Sequence, residues 1–535
     1  MDRLKYPIGI QTFEKIRQEK YIYVDKTEYI YNLVTQNAYY FLSRPRRFGK
    51  SMLLSTIEAL FKGKRDLFVG LAIDSKNWAW EQHEVLHLDF NGENFRQEKA
   101  LDIFLDTLLK KLERQYSIEY PEGSFGFRFR EIIEAAYRKS GKQVVILIDE
   151  YDKPLFDVFR SKSLLEYNRN QLQSFFSVLK TMDQYIKFGM LTGVTRFSKV
   201  SVFSGLNNLN DISLDEEYNS ICGINEAELS NYFSESIQEM SEKANSLPEK
   251  IRDELKKNYD GYHFAPYGED IYNPYSILST FSKKKFRDYW YASGTPGELV
   301  HLLEDSTFPV PEMDKCRCSE DEMMGTDIYL KNPVPLFYQC GYLTIKDYDS
   351  EFKEFTLSFP NMEVSRGFSQ SLMRSYMNGL NASSKINDFV RAVRKGDAEE
   401  FMRMLESFTA GIPYDLVKPS GVKDFNMSDI PDEEGWIKGG MEAHYQNVMY
   451  VLFKLMGFYT QAECRTSNGR IDLTIETSDY VYIMEFKIDS IPEKALHQIK
   501  DSDYFLPYRH CGKKIIKIGA NFDTTKCRLS SWIIE

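Results

Sequence analysis

The stretch FLSRPRRFGKS, Phe41–Ser51, constrains this chain more than any other. A short apolar run, Tyr39–Leu42, leads into a polar Ser-Arg-Pro-Arg-Arg turn. Gly49-Lys50-Ser51 follows, then MLLSTIEALF with the spacing of a helix. Strand, loop and helix in that order make a cradle for an anion, because loop N–H groups and the helix N-terminus converge on it. Lys50 would then reach the terminal phosphates and the Ser51 hydroxyl would ligate Mg²⁺, with Arg46, Arg47, Phe48, Gly49 and Met52 lining the loop. The full pattern wants glycine five residues before Gly49, and Arg44 stands there. The motif therefore has to be judged by what accompanies it.

Its company lies about a hundred residues downstream, in KQVVILIDEYDKP. Val144–Ile148 is an unbroken aliphatic run, the pattern of a parallel strand buried on both faces. It ends in Asp149-Glu150, at the strand end where open α/β sheets place their ligands. Asp149 would hold Mg²⁺ through water, and Glu150 would activate the water that attacks the γ-phosphate. A helix or turn start capped by acids would look the same in isolation. A further strand, Ile186–Val194, ends in Thr195-Arg196. There a polar residue can sense the γ-phosphate and Arg196 could stabilise developing charge; Thr192 and Thr195 could equally be ordinary strand-end residues.

The 535 residues allow three or four domains. A net charge of −11 argues against nucleic-acid binding through bulk positive charge but leaves a local basic groove open. Seven scattered cysteines, with Cys316 and Cys318 the only close pair, read as free thiols in a reducing compartment. The N-terminus lacks an apolar signal region, and no run of about 18 apolar residues occurs, so a cytoplasmic protein without membrane contact is expected.

Along the chain, Tyr21–Val24 reads as a strand, Thr27–Val34 as a helix, Val85–Phe90 as a strand, and 97–118 and 128–139 as amphipathic helices. Glu226–Gln238 and Pro248–Tyr259 read as a helical lid. A helix, Pro335–Cys340, then GYLTIKDY and EFTLSFPN, outline a winged helix; its acidic turn DYDSEFKE favours a packing role over DNA reading. Residues 384–410 look helical, and 411–440 is an aperiodic linker. The expected division is an ATPase core at 1–214, lid at 215–300, connector at 301–410, linker at 411–440 and a last domain at 441–535.

The last hundred residues carry a second constellation in element order αβββαβ. Asp472 opens one strand, and Glu485 and Lys487 lie on the next. Alternation along that strand puts Glu485 and Lys487 on one face, shared with Val481 and Ile483, where an acid needs a reason. Asp472 and Glu485 are hard oxygen ligands for Mg²⁺. Lys487 would orient the attacking water or stabilise the charged intermediate of phosphodiester hydrolysis, and Gln498 and Glu442 could complete the site. A Glu-x-Lys on a half-exposed strand is otherwise usually a solvated face. Acids and bases balance over 440–535, which is compatible with DNA approach.

These segments resemble a known family. YVDKT, FLSRPRRFGKS, ILIDEYDKP, LTGVTRFSK, YDGYHF and YNPYS are similar to AAA-ATPase-like proteins common in Bacteroidetes and other anaerobes. GYLTIK, GRIDLTI, YIMEFK and the Ala495–Gln498 helix resemble the PD-(D/E)xK nuclease superfamily domain those proteins carry at the C-terminus. The resemblance implies an α/β fold. A P-loop NTPase parallel-sheet domain with a helical lid and winged-helix-like connector would precede a restriction-endonuclease-like α/β domain. It implies ATP binding through Lys50 and Ser51, Mg²⁺ and hydrolysis through Asp149 and Glu150, and nuclease chemistry through Asp472, Glu485 and Lys487. The family carries Arg-Pro-Arg-Arg-Phe-Gly-Lys-Ser itself, so Arg44 is no local lesion; no Pro precedes Asp472, a departure common in the superfamily.

The expected function is an ATP-regulated, Mg²⁺-dependent nuclease acting on nucleic acid, DNA in preference to RNA, compatible with mobile-element or phage defence. The competing reading is a nucleotide-driven switch or scaffold whose nuclease-like domain only binds a partner, suggested by the acidic surface. A protein-remodelling ATPase lacks an evident substrate-threading aromatic loop. Homo-oligomerisation is left open.

Overall fold

The computed structural model describes residues 4–119, 123–196, 208–293, 299, 310–324, 332–376, 382–411, 447–457, 461–467, 470–501, 505–509, 511–523, 526 and 528–535. Residues 412–440 of the expected linker, and Glu442, lie outside them. The chain divides into two units, Met1–Gly294 with Lys315–Glu363, and Thr295–Asp314 with Val364–Glu535.

In the first unit the apolar runs become a parallel sheet of β1 (Tyr39–Ser43), β2 (Val85–Asp89), β3 (Val144–Asp149), β4 (Ile186–Gly193) and β5 (Asn210–Asp211). Their order is β2-β3-β4-β1-β5. β1 and β3 are buried at every position, the reason they read as unbroken apolar runs, aromatic in β1 and aliphatic in β3, rather than as alternation. Because β4 stands between them, the loop after β1 and the acids ending β3 meet at the same carboxyl edge, one strand apart. α1 (Lys50–Phe61), α2 (Ala100–Gln115) and α3 (Phe125–Ser140) follow in order. Leu105, Leu109, Phe129 and Ile133 of the helices close the core over Leu86, Leu88, Ile146 and Ile148. Each such side chain contributes about 1.5–3 kcal/mol on burial.

The lid has its own core. α4 (Glu226–Ala244), α5 (Pro248–Tyr259) and α6 (Pro274–Lys283) bury Leu229, Phe233, Ile237, Leu255, Ile277 and Phe281 together. Asn225 and Glu228 form a capping box at the start of α4. The Glu228 carboxylate also accepts from Lys26 Nζ at 2.6 and 2.7 Å, while Asp25 accepts from the Thr27 amide and hydroxyl and from Ala72 N. YVDKT is thus a brace between the N-terminal segment and the lid. The strand expected at Tyr21–Val24 does not form. In that segment Tyr21 N donates to Ile16 O and Ile22 N to Lys5 O, and its rings pack instead, Tyr23 lying 5.0 Å from Phe13.

A helix and hairpin appear where expected, as α7 (Val334–Gln339), β7 (Thr344–Asp349) and β8 (Glu354–Ser358). The short strand β6 (Cys316–Ser319) adds to them in the order β6-β8-β7. Its Cys316 and Cys318 are buried free thiols.

In the second unit the helical stretch expected over 384–410 is two helices, α8 (Ala382–Lys395) and α9 (Ala398–Ala410). Gly396 breaks it at φ +80, and a Cβ there would lie 2.3 Å from the Tyr480 ring. The helix expected before the last domain's strands is described over 447–457. β9 (Gln461–Ser467), β10 (Arg470–Glu476), β11 (Tyr480–Ile488), β12 (Lys514–Asp523) and β13 (Arg528–Ile534) form one sheet in the order β13-β12-β11-β10-β9. β13 was not anticipated. β11 and β12 are parallel, joined through α10 (Pro492–Asp501); the other pairs are antiparallel. No helix among the described residues is long and apolar enough to cross a membrane.

Candidate functional site

The loop after β1 is held by its own chain from all sides. Arg44 N donates to Gly193 O on β4, and Gly223 N to Phe48 O. Gly49 adopts φ +103 and begins α1, so the first helical residues are Lys50, Ser51 and Met52, with the helix's positive end at the loop. The Lys50 side chain is buried, and its ammonium donates to Arg44 O at 2.9 Å and Pro45 O at 3.2 Å. Arg46 and Arg47 are exposed, stacked 5.5 Å from Phe156 and 4.2 Å from Tyr275. Arg44 is different. Its guanidinium is buried, donating to Ser43 O, Ser213 O and Tyr218 O, and lies 4.4 Å from the Phe264 ring. Arg44 occupies the glycine position as a cross-link, because its charge can be satisfied by carbonyls that a glycine would leave unbonded.

At the neighbouring strand ends the acids converge as the sequence implied. The Thr192 hydroxyl donates to Asp149 Oδ1 at 2.6 Å, leaving Oδ2 as the oxygen available to a cation. Glu150 sits in the left-handed region at φ +49, uncommon for a side chain of its size and typical of functional turns. Burial raises its carboxyl above the ordinary range; Lys50 opposes the rise, and Asp152 and Asp149 reinforce it. Asp89, in register with Asp149, is also raised by burial, with Asp149 adding to it. The Ser51 hydroxyl and the Asp149 carboxylate are hard oxygen donors, of the kind Mg²⁺ takes together with phosphate oxygens.

Arg196 is buried and paired with Asp211 at the end of β5, reaching across the end of β1; among the described residues its Nη1 has no hydrogen-bond partner. The Thr195 hydroxyl donates to Asp152 at 2.6 Å, which commits its proton.

An aromatic collar around the loop has no counterpart among the sequence expectations. Phe48 packs edge-on against Tyr262 at 4.8 Å and Phe264 at 5.3 Å, and Trp290 Nε1 donates to Arg46 O at 2.9 Å. Gly341, at φ +85, lies against the Pro45 ring. YDGYHF was visible as a motif, but nothing local to it indicates that its rings grip a loop two hundred residues away.

The second constellation is on the sheet of the second unit. Antiparallel register sets Asp472 of β10 directly across from Glu485 of β11; of Asp472 the main-chain placement alone is described. Glu485 is fully buried, and Lys487 Nζ lies 3.0 Å from its Oε1. The same ammonium donates to Gln498 Oε1 on α10. The face expected for the Glu-x-Lys pair is thus an interior one. A buried carboxylate matched by one ammonium, opposite a second acid, fits a divalent cation by its oxygen chemistry.

The family described as "Predicted AAA-ATPase" matches residues 7–203, and the PD-(D/E)XK nuclease superfamily matches residues 440–532. An uncharacterized protein of Azotobacter chroococcum mcd 1, named for its place in the vnfD 5' region, is 34% identical over 545 residues, which span 100% of this chain and 99% of that protein. The chain belongs to the AAA-ATPase-like proteins with a C-terminal PD-(D/E)XK domain. In this AAA-ATPase-like chain the first match takes in the loop, β3 and β4, and the second takes in β9 to β12 and α10.

Proposed function

We propose that the chain binds ATP with Mg²⁺ at the loop after β1, hydrolyses it, and uses that cycle to control metal-dependent cleavage of nucleic acid, DNA in preference to RNA, at the Glu485–Lys487 site. The observation that carries the reading is the presence of two phosphate-directed arrangements in one chain. One is a Gly-Lys-Ser loop set one strand from an Asp-Glu strand end; the other is a buried Glu–Lys pair with Asp472 across from it.

At the first site Lys50 exchanges the Arg44 and Pro45 carbonyls for phosphate oxygens. Ser51 and Asp149 would hold the metal, Glu150 takes the proton of the attacking water, and Arg46 and Arg47 face the polyphosphate. Arg196 offers Nη1 to developing charge. The burial that raises the Glu150 pKa makes it a stronger base than an ordinary carboxylate. At the second site Asp472 and Glu485 would hold the metal, while Lys487 and Gln498 orient the water. Bound Mg²⁺ would neutralise phosphate charge at either place and lower the pKa of its water.

The test incubates the purified chain with ATP, Mg²⁺ and single-stranded DNA, duplex DNA or RNA. Lys50→Ala should lose ATP turnover, and Lys487→Ala should lose cleavage while still hydrolysing ATP. No cleavage by the wild type, or cleavage unaffected by Lys487→Ala, refutes the nuclease reading and leaves the nucleotide-driven switch. Loss of protection against phage or mobile elements in cells carrying either variant would extend the reading to defence.

A further inference from the structure

Three consecutive main-chain N–H groups just past β4 are each taken by a side chain from another element. Val194 N and Thr195 N donate to Asp152 Oδ2 at 3.1 and 2.6 Å, and Arg196 N donates to Gln339 Oε1 at 2.9 Å. The Thr195 hydroxyl donates to the same Asp152 oxygen. Asp152 is almost wholly buried, and a single oxygen of it therefore collects three donors. Its other oxygen would lie 2.6 Å from a Cβ on Gly193, so only glycine fits beside it. Gly193 in turn accepts from Arg44 N, the first residue of the phosphate loop. Tyr151, next to Asp152, adds a fourth tie by donating its hydroxyl to Thr195 O at 2.9 Å.

A buried carboxylate is costly to keep unless its bonds compensate. Here the bonds converge on the one segment that links the acidic strand end, the loop and Arg196. We propose that Asp152 is a positioning residue of the ATPase site. It fixes residues 193–196 so that the loop start and Arg196 hold one geometry relative to Glu150 and Lys50. The inference rests on ATP hydrolysis at this site, and adds a residue to which neither the loop motif nor the Asp-Glu pair gives a role. Charge-assisted bonds of this kind are geometric constraints as much as attractions, and small displacements of reacting groups cost rate more than affinity.

The experiment separates binding from turnover in the full chain. ATP affinity is measured by calorimetry with Mg²⁺, and single-turnover and steady-state hydrolysis are measured for wild type, Thr195→Ser, Thr195→Val, Asp152→Asn and Asp152→Ala. Thermal midpoints are recorded for each. The expected result is ATP affinity within about threefold throughout, with turnover lowered at least tenfold in Asp152→Ala, less in Asp152→Asn, and less again in Thr195→Val. Thr195→Ser should recover most of what Thr195→Val loses, since it restores the hydroxyl. If the Asp152 variants lose thermal midpoint and ATP affinity together with unchanged turnover per bound ATP, Asp152 only braces the fold and the inference is overturned. Should Asp152→Ala fail to fold, Asp152→Asn and the Thr195 pair decide the matter on the same criteria. Wild-type chain that binds ATP without hydrolysing it overturns the ATPase reading, and the positioning role with it. Wild-type hydrolysis matched by Asp152→Asn and Asp152→Ala overturns the positioning role alone.

Discussion

Gly341→Ala should disturb the phosphate loop from outside it. Gly341 holds φ +85, and a Cβ built there would lie 2.7 and 2.8 Å from Cβ and Cγ of Pro45, with Trp290 Cζ2 at 3.4 Å. Alanine in a left-handed conformation costs about 1–2 kcal/mol. Forcing an extra methyl against a ring that cannot rotate away adds about 1–3 kcal/mol. The two sum to about 2–5 kcal/mol, and moving Pro45 and the loop relieves part of it, leaving about 2–4 kcal/mol. Gly141 supplies the control, since it has φ +66 but no atom within 4 Å of the added Cβ, so Gly141→Ala carries the backbone strain alone. At the usual entropy of unfolding per residue, a unit of this length shifts by roughly 1.5 °C per kcal/mol. Tryptophan-monitored melting should therefore fall by about 3–6 °C in Gly341→Ala and by about 1.5–3 °C in Gly141→Ala. Calorimetry should find ATP bound at least tenfold more weakly by the first variant and normally by the second. Equal losses of stability, with equal ATP affinity, would refute the reasoning that this element bears on the loop.

Three further outcomes follow from buried charges. Burial pushes Glu363 up to about 8, opposed by bonds from Ser276 Oγ and the amides of Trp290 and Tyr291. Its folded pKa exceeds the unfolded value near 4.3, so the folded state holds the extra proton and stability declines as pH rises between about 4 and 8. Glu363→Gln should flatten that decline, and melting from pH 5 to 8.5 that is already flat in the wild type would exclude it. Removing Glu228 strands the buried Lys26 ammonium. Glu228→Ala should cost about 3 kcal/mol in urea unfolding, and Lys26→Met with Glu228→Leu should recover most of it; a double variant as unstable as the single one would contradict this. Lys487→Met takes away the ammonium beside the buried Glu485 carboxylate and the donor to Gln498. Mn²⁺ affinity should change at least tenfold from the wild type, and titration calorimetry checks it; equal affinity would show that the ammonium does not bear on the metal.

The amino-acid sequence by itself determined what is local. Continuous apolar runs at β1 and β3 announced strands buried inside a sheet, and Gly49-Lys50-Ser51 and Asp149-Glu150 marked their carboxyl ends, because strand burial and helix starts depend on neighbouring residues. Glu485 and Lys487 could be placed on one face by alternation alone. Where a pattern had two physical solutions the sequence misled: the aromatic segment Tyr21–Val24 satisfies itself by ring packing instead of pairing, and the helical period over 384–410 runs through Gly396, which holds φ +80 beside the Tyr480 ring before Asp397 caps the next helix. The tertiary structure decided what is distant. It inserted β4 between β1 and β3, turned Arg44 inward onto Ser213 and Tyr218, wrapped the loop in Tyr262, Phe264 and Trp290, and brought Asp152 onto the amides beyond β4. None of those contacts has a sequence period, because each joins residues whose separation along the chain is set by the fold and not by the geometry of a helix or strand.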